Sequence, residues 1–288
     1  MMAWFVFGFN VEFVEVEETL AQVARVLGEQ PSMVTTRAGQ PRVGLTSQCA
    51  IHIAYDDRTR ARIRQEAERL LWAARCGIPV PEVRDQRPNW LITARAVNDE
   101  VTSGALYIDA AVAAARALAT ASEPPPSVRG PAPAHGGGRR AGAERLYRIL
   151  RSPLSPAEFR SARTAAAHLA RDTLAHGDYV LHNILFDSGR ARVTVIDWEF
   201  LNYAPAGFDL CVLWPRLPEA EDRDRVLDAV LEDVPDRAAL GVLHHWLAVR
   251  YLADLVTRIP PPQWSRERID QAVRRLTEAR ANAAAWAA

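Results

Sequence analysis

The chain contains no lysine; all 35 of its basic residues other than histidine are arginines. Any site that ordinarily rests on a lysine must therefore be built another way. Cysteine is almost as scarce: Cys49, Cys76 and Cys211 are scattered, without the spacing of a metal site or a redox pair. They read as buried thiols of a reducing compartment. Excess charge is missing too. The 35 acidic residues balance the 35 basic ones, which removes any global attraction to nucleic acid or to an anionic membrane surface. No apolar run approaches the length needed to cross a bilayer. Residues 1–9 are apolar but brief, lack a basic start and run into Glu12, Glu15, Glu17 and Glu18, so they read as a strand and make a poor secretory signal. A globular protein of the cytoplasm is expected, with 288 residues and 49% apolar content enough for one large or two modest domains.

What is present is concentrated in one stretch, His176-Gly177-Asp178-Tyr179-Val180-Leu181-His182-Asn183, followed by Val195-Ile196-Asp197-Trp198-Glu199. Between them, Ile184-Leu185-Phe186 and Val193-Thr194-Val195-Ile196 flank the cluster Asp187-Ser188-Gly189-Arg190. Two short β-rich runs around such a cluster predict a hairpin. Residues at the open end of an antiparallel ladder meet, so Asn183 and Asp197 are expected as neighbours. Two oxygen ligands at one point suit a magnesium ion that keeps its other sites for water and phosphate. Asp178 falls in the loop just before the hairpin. One Asp to orient an attacking hydroxyl, with an Asn and a second Asp to hold the metal, is the set that phosphoryl transfer needs. The bland reading is a surface hairpin with ordinary polar ends.

The pair HGDYVLHN and IDWE resembles the marker of the aminoglycoside phosphotransferase and choline kinase family, HGDxxxxN followed by IDWE or IDxD. The resemblance implies an α+β, two-lobed protein-kinase-like fold. A small N-terminal β-sheet lobe plus one helix would bind nucleotide (residues 1–96), and a larger, mainly helical C-terminal lobe would carry catalysis and the substrate (97–288). It implies a small-molecule kinase with Mg2+ and with ATP or GTP as phosphate donor. Asp178 becomes the catalytic residue, Asn183 and Asp197 the metal ligands. His176 and Asp209 become braces of the catalytic loop.

The family's third strand usually supplies a lysine for the α- and β-phosphates, and here that residue cannot exist. The strand runs expected are 32–36, 42–46 and 49–54, with a faint glycine loop at Gly39. His52 in the last run is the nearest candidate cation, and a plain strand histidine is the alternative. The stretch 60–76 is helical, with Ile63, Ala67, Leu70, Leu71 and Ala74 on one stripe, Glu66 beside it and Gly77 past its end. A half-buried glutamate there wants a cationic partner, and the resemblance pairs it with the strand-three cation. Thr93, Ala94 and Ala96 are expected in the segment joining the lobes, where the backbone would hold the base.

In the C-terminal part the spacing predicts helices over 109–121, from the capping box Ser155-Pro156-Ala157-Glu158 to about Leu174, and over 221–234, 236–259 and 265–286. An earlier helical stretch covers 18–27. Residues 122–143 are rich in Pro, Gly and Arg and read as a mobile loop. Tyr179, His182, Glu199 and Trp214 are the substrate-side candidates, although some of these aromatics fit a core equally well. The acids Glu219, Glu221, Asp222 and Asp224 form a cluster that would suit a polycationic aminoglycoside or simply begin a helix. Inactivation of a sugar-bearing or nucleoside antibiotic is the favoured role. A metabolite kinase (for a sugar, an amino alcohol or a homoserine-like compound) and a non-catalytic pseudokinase are the alternatives. Partners are expected to be a nucleotide and a small molecule, not nucleic acid or membrane, in a monomer or homodimer.

Overall fold

The computed structural model describes residues 9–35, 41–54, 56–99, 103–128, 153–258 and 266–288. The expected strand over 1–9 lies outside these, except that Phe9 already opens helix α1 (Phe9–Leu27), which begins earlier than the helical stretch read from sequence. The loop at Gly39 and most of the 122–143 segment also lie outside.

Five antiparallel strands form one sheet in the order β1-β2-β3-β5-β4: β1 (Ser32–Thr35), β2 (Pro41–Leu45), β3 (Cys49–Ile53), β4 (Val83–Arg87) and β5 (Trp90–Ala94). Strand parity divides this sheet. Cys49, Ile51 and Ile53 point to one face, where with Trp90, Ile92 and Val23 of α1 they form a separate apolar cluster. Ala50 and His52 face the opposite way and help line a cleft. Strand β4 was not read from sequence because Val83-Arg84-Asp85-Gln86-Arg87 is mostly exposed and carries little apolar signal.

Helix α2 (Asp57–Arg75) is started by a capping box in which the Asp56 carboxylate accepts the Thr59 N–H at 2.6 Å. Its buried side runs through Ile63, Ala67, Leu70, Trp72 and Ala73. Leu71, placed on that stripe from sequence, is 44% exposed, and Ala74 is exposed too. Trp72 wins because its indole N–H reaches the Ser122 carbonyl at 3.3 Å.

The larger part packs around α3 (Ala105–Ala119), α4 (Pro156–Ala167), α5 (Phe208–Leu213), α6 (Ala220–Asp233), α7 (Arg237–Arg258) and α8 (Arg266–Ala287). The expected extension of α4 to Leu174 is corrected. His168 closes the helix, and Thr173–Ala175 becomes β6, paired with Asn202–Ala204 as β9. Nothing local in the Ala-rich run marks that change, because the strand's partner lies far along the chain. The capping box is half made: Ser155 accepts the Glu158 N–H, but the Glu158 carboxylate goes to Arg280 and to His245 Nε2 (3.1 Å). Those partners hold it well below the usual carboxylate range, Arg280 foremost. The hairpin forms where expected, β7 (Ile184–Asp187) against β8 (Arg192–Val195), with Ile184 opposite Val195, which sets Asn183 across from Ile196, one residue before Asp197.

Ties between the two parts include Arg69 of α2, which donates to the Trp198 carbonyl at 2.7 Å, and the Val195 N–H, which donates to the Pro79 carbonyl at 2.8 Å. Among the described residues no helix is long and apolar enough to cross a membrane.

Candidate active site

The loop between β6 and the hairpin is built from backbone constraints. Gly177 sits at φ +84°, and a Cβ there would press on the Phe200 carbonyl and within 2.7 Å of Asn202 Nδ2. Asp209 of α5 accepts the N–H groups of His176 at 2.7 Å and Gly177 at 3.1 Å. Burial pushes its carboxyl up to about 7, against the pull of those two donors. His176 is fully buried, and its Nε2 lies 3.0 Å from the Ile196 carbonyl. Since a carbonyl only accepts, Nε2 carries the hydrogen. Burial pushes this imidazole down to about 4, so it is neutral and serves as a brace.

These braces set three side chains. The Asn183 amide nitrogen donates to the Asp178 backbone carbonyl at 2.9 Å and to its carboxylate at 3.2 Å. Beyond the last rung of the hairpin the Ile196 N–H donates to the Asn183 carbonyl at 2.9 Å, and Asp197 follows directly. Asp197 adopts a left-handed conformation, φ 62° and ψ 62°, which acidic residues tolerate better than most. Its carboxyl is pushed up to about 6, first by burial and then by Glu199 and Glu66.

Asp197 and Asn183 line a cleft of about 580 Å³ under the sheet, together with His52, Glu66, Thr93, Ala94 and Ala96. His52 Nδ1 lies 3.5 Å from Glu66. The Ala94 N–H is spent on the Glu82 carbonyl and that of Arg95 on Gln48, both at 2.8 Å. Two further cations line the cleft that sequence reasoning passed over. Arg62 pairs with Glu199, and Arg95 donates to the Thr46 carbonyl at 2.8 Å. Helical position relative to Glu66 was the signal available for Arg62, which stands one turn earlier.

A second, smaller cavity of about 100 Å³ lies on the far side of Asp178 and is lined by Arg216, Arg250, Tyr251 and Asp254. His182 is exposed and lines both spaces. Two substrate-side expectations are corrected. Tyr179 is 1% exposed, and its hydroxyl donates to the Ala111 carbonyl at 2.7 Å, so it packs in the core. Trp214 is also buried, stacked edge-on against His244 at 4.4 Å. The acidic cluster is not at the cavity: none of its members is in the lining, Asp222 is buried and accepts the Gly104 N–H at 2.9 Å, and Glu219 stands just before α6.

The donor set fits a divalent cation. Asn183 spends its nitrogen on Asp178, which leaves the carbonyl oxygen that a hard ion requires. Asp197 stands in a crowd of carboxylates that such an ion would relieve. Among the described residues no group of three or more His, Cys, Asp or Glu forms a metal cluster.

A nucleotide-sized cleft under a five-stranded sheet, with Asn183 and Asp197 in its lining and Asp178 against Asn183, defines the kinase-like class of phosphotransferases. The model of the phosphotransferase enzyme family matches residues 22–243, and the chain belongs to that family. Its members are small-molecule kinases that phosphorylate hydroxyl groups. No curated protein sequence matches. Among solved structures, the chain is similar to a choline kinase from Streptococcus pneumoniae (15% identity, TM-score 0.56, 94% of this chain and 98% of that one). It is similar to an amicoumacin kinase in complex with AMP-PNP, Ca2+ and its substrate (11%, 0.56, 95% and 94%). It is also similar to an aminoglycoside phosphotransferase in a ternary complex with streptomycin and ATP (15%, 0.54, 96% and 97%).

Proposed function

We propose that this protein transfers the γ-phosphate of ATP, or of GTP, to a hydroxyl of a small acceptor held beside Asp178. The observation that carries this reading is the contact between Asp178 and Asn183, with Asp197 at the adjacent end of the hairpin. That trio lies on the wall between a nucleotide-sized cleft and a smaller cavity. Asp178 would accept a hydrogen bond from the acceptor hydroxyl and aim its oxygen at the γ-phosphorus. As the new P–O bond forms and the bond to the β-phosphate oxygen breaks, the proton passes to Asp178 and the nucleoside diphosphate leaves. Asn183 and Asp197 would hold Mg2+, which when bound supplies charge neutralisation on the phosphate oxygens.

At the other end of the cleft, His52 with Glu66 stands in for the missing lysine pair, and the Ala96 N–H is the hinge donor left for a base. An inactive, nucleotide-binding relative is the rival reading, and the intact trio argues against it. The solved relatives that act on antibiotics support a resistance role. The small arginine-bearing cavity favours a compact metabolite instead. Work in the cytoplasm, as a monomer or homodimer, completes the proposal.

The test is a mass-spectrometric screen for phosphate gain over antibiotics and metabolites, with ATP and GTP and magnesium. Transfer with stoichiometric release of the diphosphate is the expected result. Tight nucleotide binding with no transfer to any acceptor would favour the inactive reading.

A further inference from the structure

The acceptor cavity holds two cations that differ in how they are satisfied. Arg250 has Asp254 within 3.8 Å, one turn along α7. Arg216 donates to the Val212 carbonyl and lies with its guanidinium 5.0 Å from the centre of the Tyr251 ring. The carboxylates that act on it, Asp254 and Asp178, do so from a distance, and among the described residues neither forms an ion pair with it. Asp178 is already engaged by Asn183. Arg216 is half-buried, and a guanidinium partly withdrawn from water without a counter-ion carries a cost. The Tyr251 ring face recovers part of that cost and holds the planar group in place at the cavity wall. A fixed planar cation beside the catalytic carboxylate is a receptor for a planar anion.

On the phosphotransfer reading, we infer that the acceptor is a small hydroxy acid whose carboxylate docks on Arg216, with Arg250 beside it, while its hydroxyl lies at Asp178. Size agrees with this. The cavity measures about 100 Å³ against about 580 Å³ for the larger cleft, which suits a short chain. Charge agrees as well. Asp254 matches Arg250, which leaves the Arg216 guanidinium as the cation without an ion pair among the described residues at a wall shared with Asp178.

The experiment compares matched triads with one carbon skeleton: glycerate, glyceramide and aminopropanediol, together with their longer homologues, each with ATP or GTP. The expected result is that the acid exceeds its amide and amine by about ten- to hundredfold in kcat/KM, because losing the anion leaves a charged partner unpaired. Arg216→Gln should lower the acid to the level of its amide without changing KM for the nucleotide. Transfer to amides or amines at least as fast as to acids overturns the inference and leaves the phosphotransfer reading standing. A preference for glycerol phosphate over glycerate, run as a further arm, overturns the carboxylate assignment. Transfer to no member with either nucleotide sinks the inference alone, and the broad acceptor screen then decides the phosphotransfer reading. If Arg216→Gln does not fold, the wild-type acid-to-amide ratio decides alone.

Discussion

Asp209 holds the loop before Asp178 by its backbone, taking the His176 N–H at 2.7 Å and the Gly177 N–H at 3.1 Å with its two carboxylate oxygens. Both donors sit one or two residues before Asp178, so the clamp sets where that carboxylate stands. Asp209→Ala removes both acceptors at a buried place. We expect a loss of roughly 1–3 kcal/mol for each orphaned donor and a drop in turnover out of proportion to any change in nucleotide affinity. Chemical denaturation together with steady-state kinetics checks both. Unchanged kcat would mean that the loop holds its shape without the clamp.

Asp178→Ala and Asp197→Ala should each lower turnover by about a thousandfold or more, since positioning and charge neutralisation are most of what the protein contributes. Circular dichroism should stay native. A near-normal rate in either variant would remove that residue from the mechanism.

At Gly177 the backbone leaves no room for substitution. Its φ of +84° is strained for any L-residue, and the added Cβ meets the Phe200 carbonyl. We expect Gly177→Ala to cost roughly 1–3 kcal/mol from the conformation and more from the clash, seen as a lower denaturation midpoint and lost activity.

The lysine-free cleft makes a prediction of its own. His52→Ala should weaken nucleotide binding about tenfold, read by calorimetry, while KM for the acceptor stays put. Unchanged affinity would hand the role to Arg62 or Arg95, the other cations lining the cleft.

His244 supplies a pH signature remote from the site. Burial first, and His245 second, push its imidazole down to about 4 from 6.5. The folded state therefore binds fewer protons than the unfolded one across that window, and stability falls as pH drops through it. Burial pushes Asp209 up to about 7, which acts in the opposite sense, so a total pH profile would blur the effect. The difference between wild type and His244→Phe isolates it. From about pH 7 to about pH 5 the wild type should lose about 2 kcal/mol relative to the variant. Parallel profiles would mean that His244 is charged in the fold.

The chain alone fixed its chemistry through short-range facts. Asp178, Asn183 and Asp197 could be read as one group because a hairpin's register follows from the alternation of its strands and from the turn residues between them. The same local rules gave the body of α2 and the Gly77 past its end, though not its start at the Asp56 cap. What lay beyond them depended on partners distant in the chain. Thr173–Ala175 left its helical pattern to pair with Asn202–Ala204. Trp72 displaced Leu71 from the buried face because Ser122 waits for its indole. Tyr179 and Trp214 went into the core, one for the Ala111 carbonyl and the other against His244. The character of the acceptor cavity was decided the same way. Arg216 and Arg250 sit on different helical segments, and nothing local says that they share a cavity with Asp178. Periodicity reveals which face of an element is apolar, whereas only packing decides which polar side chains are left facing one another without water.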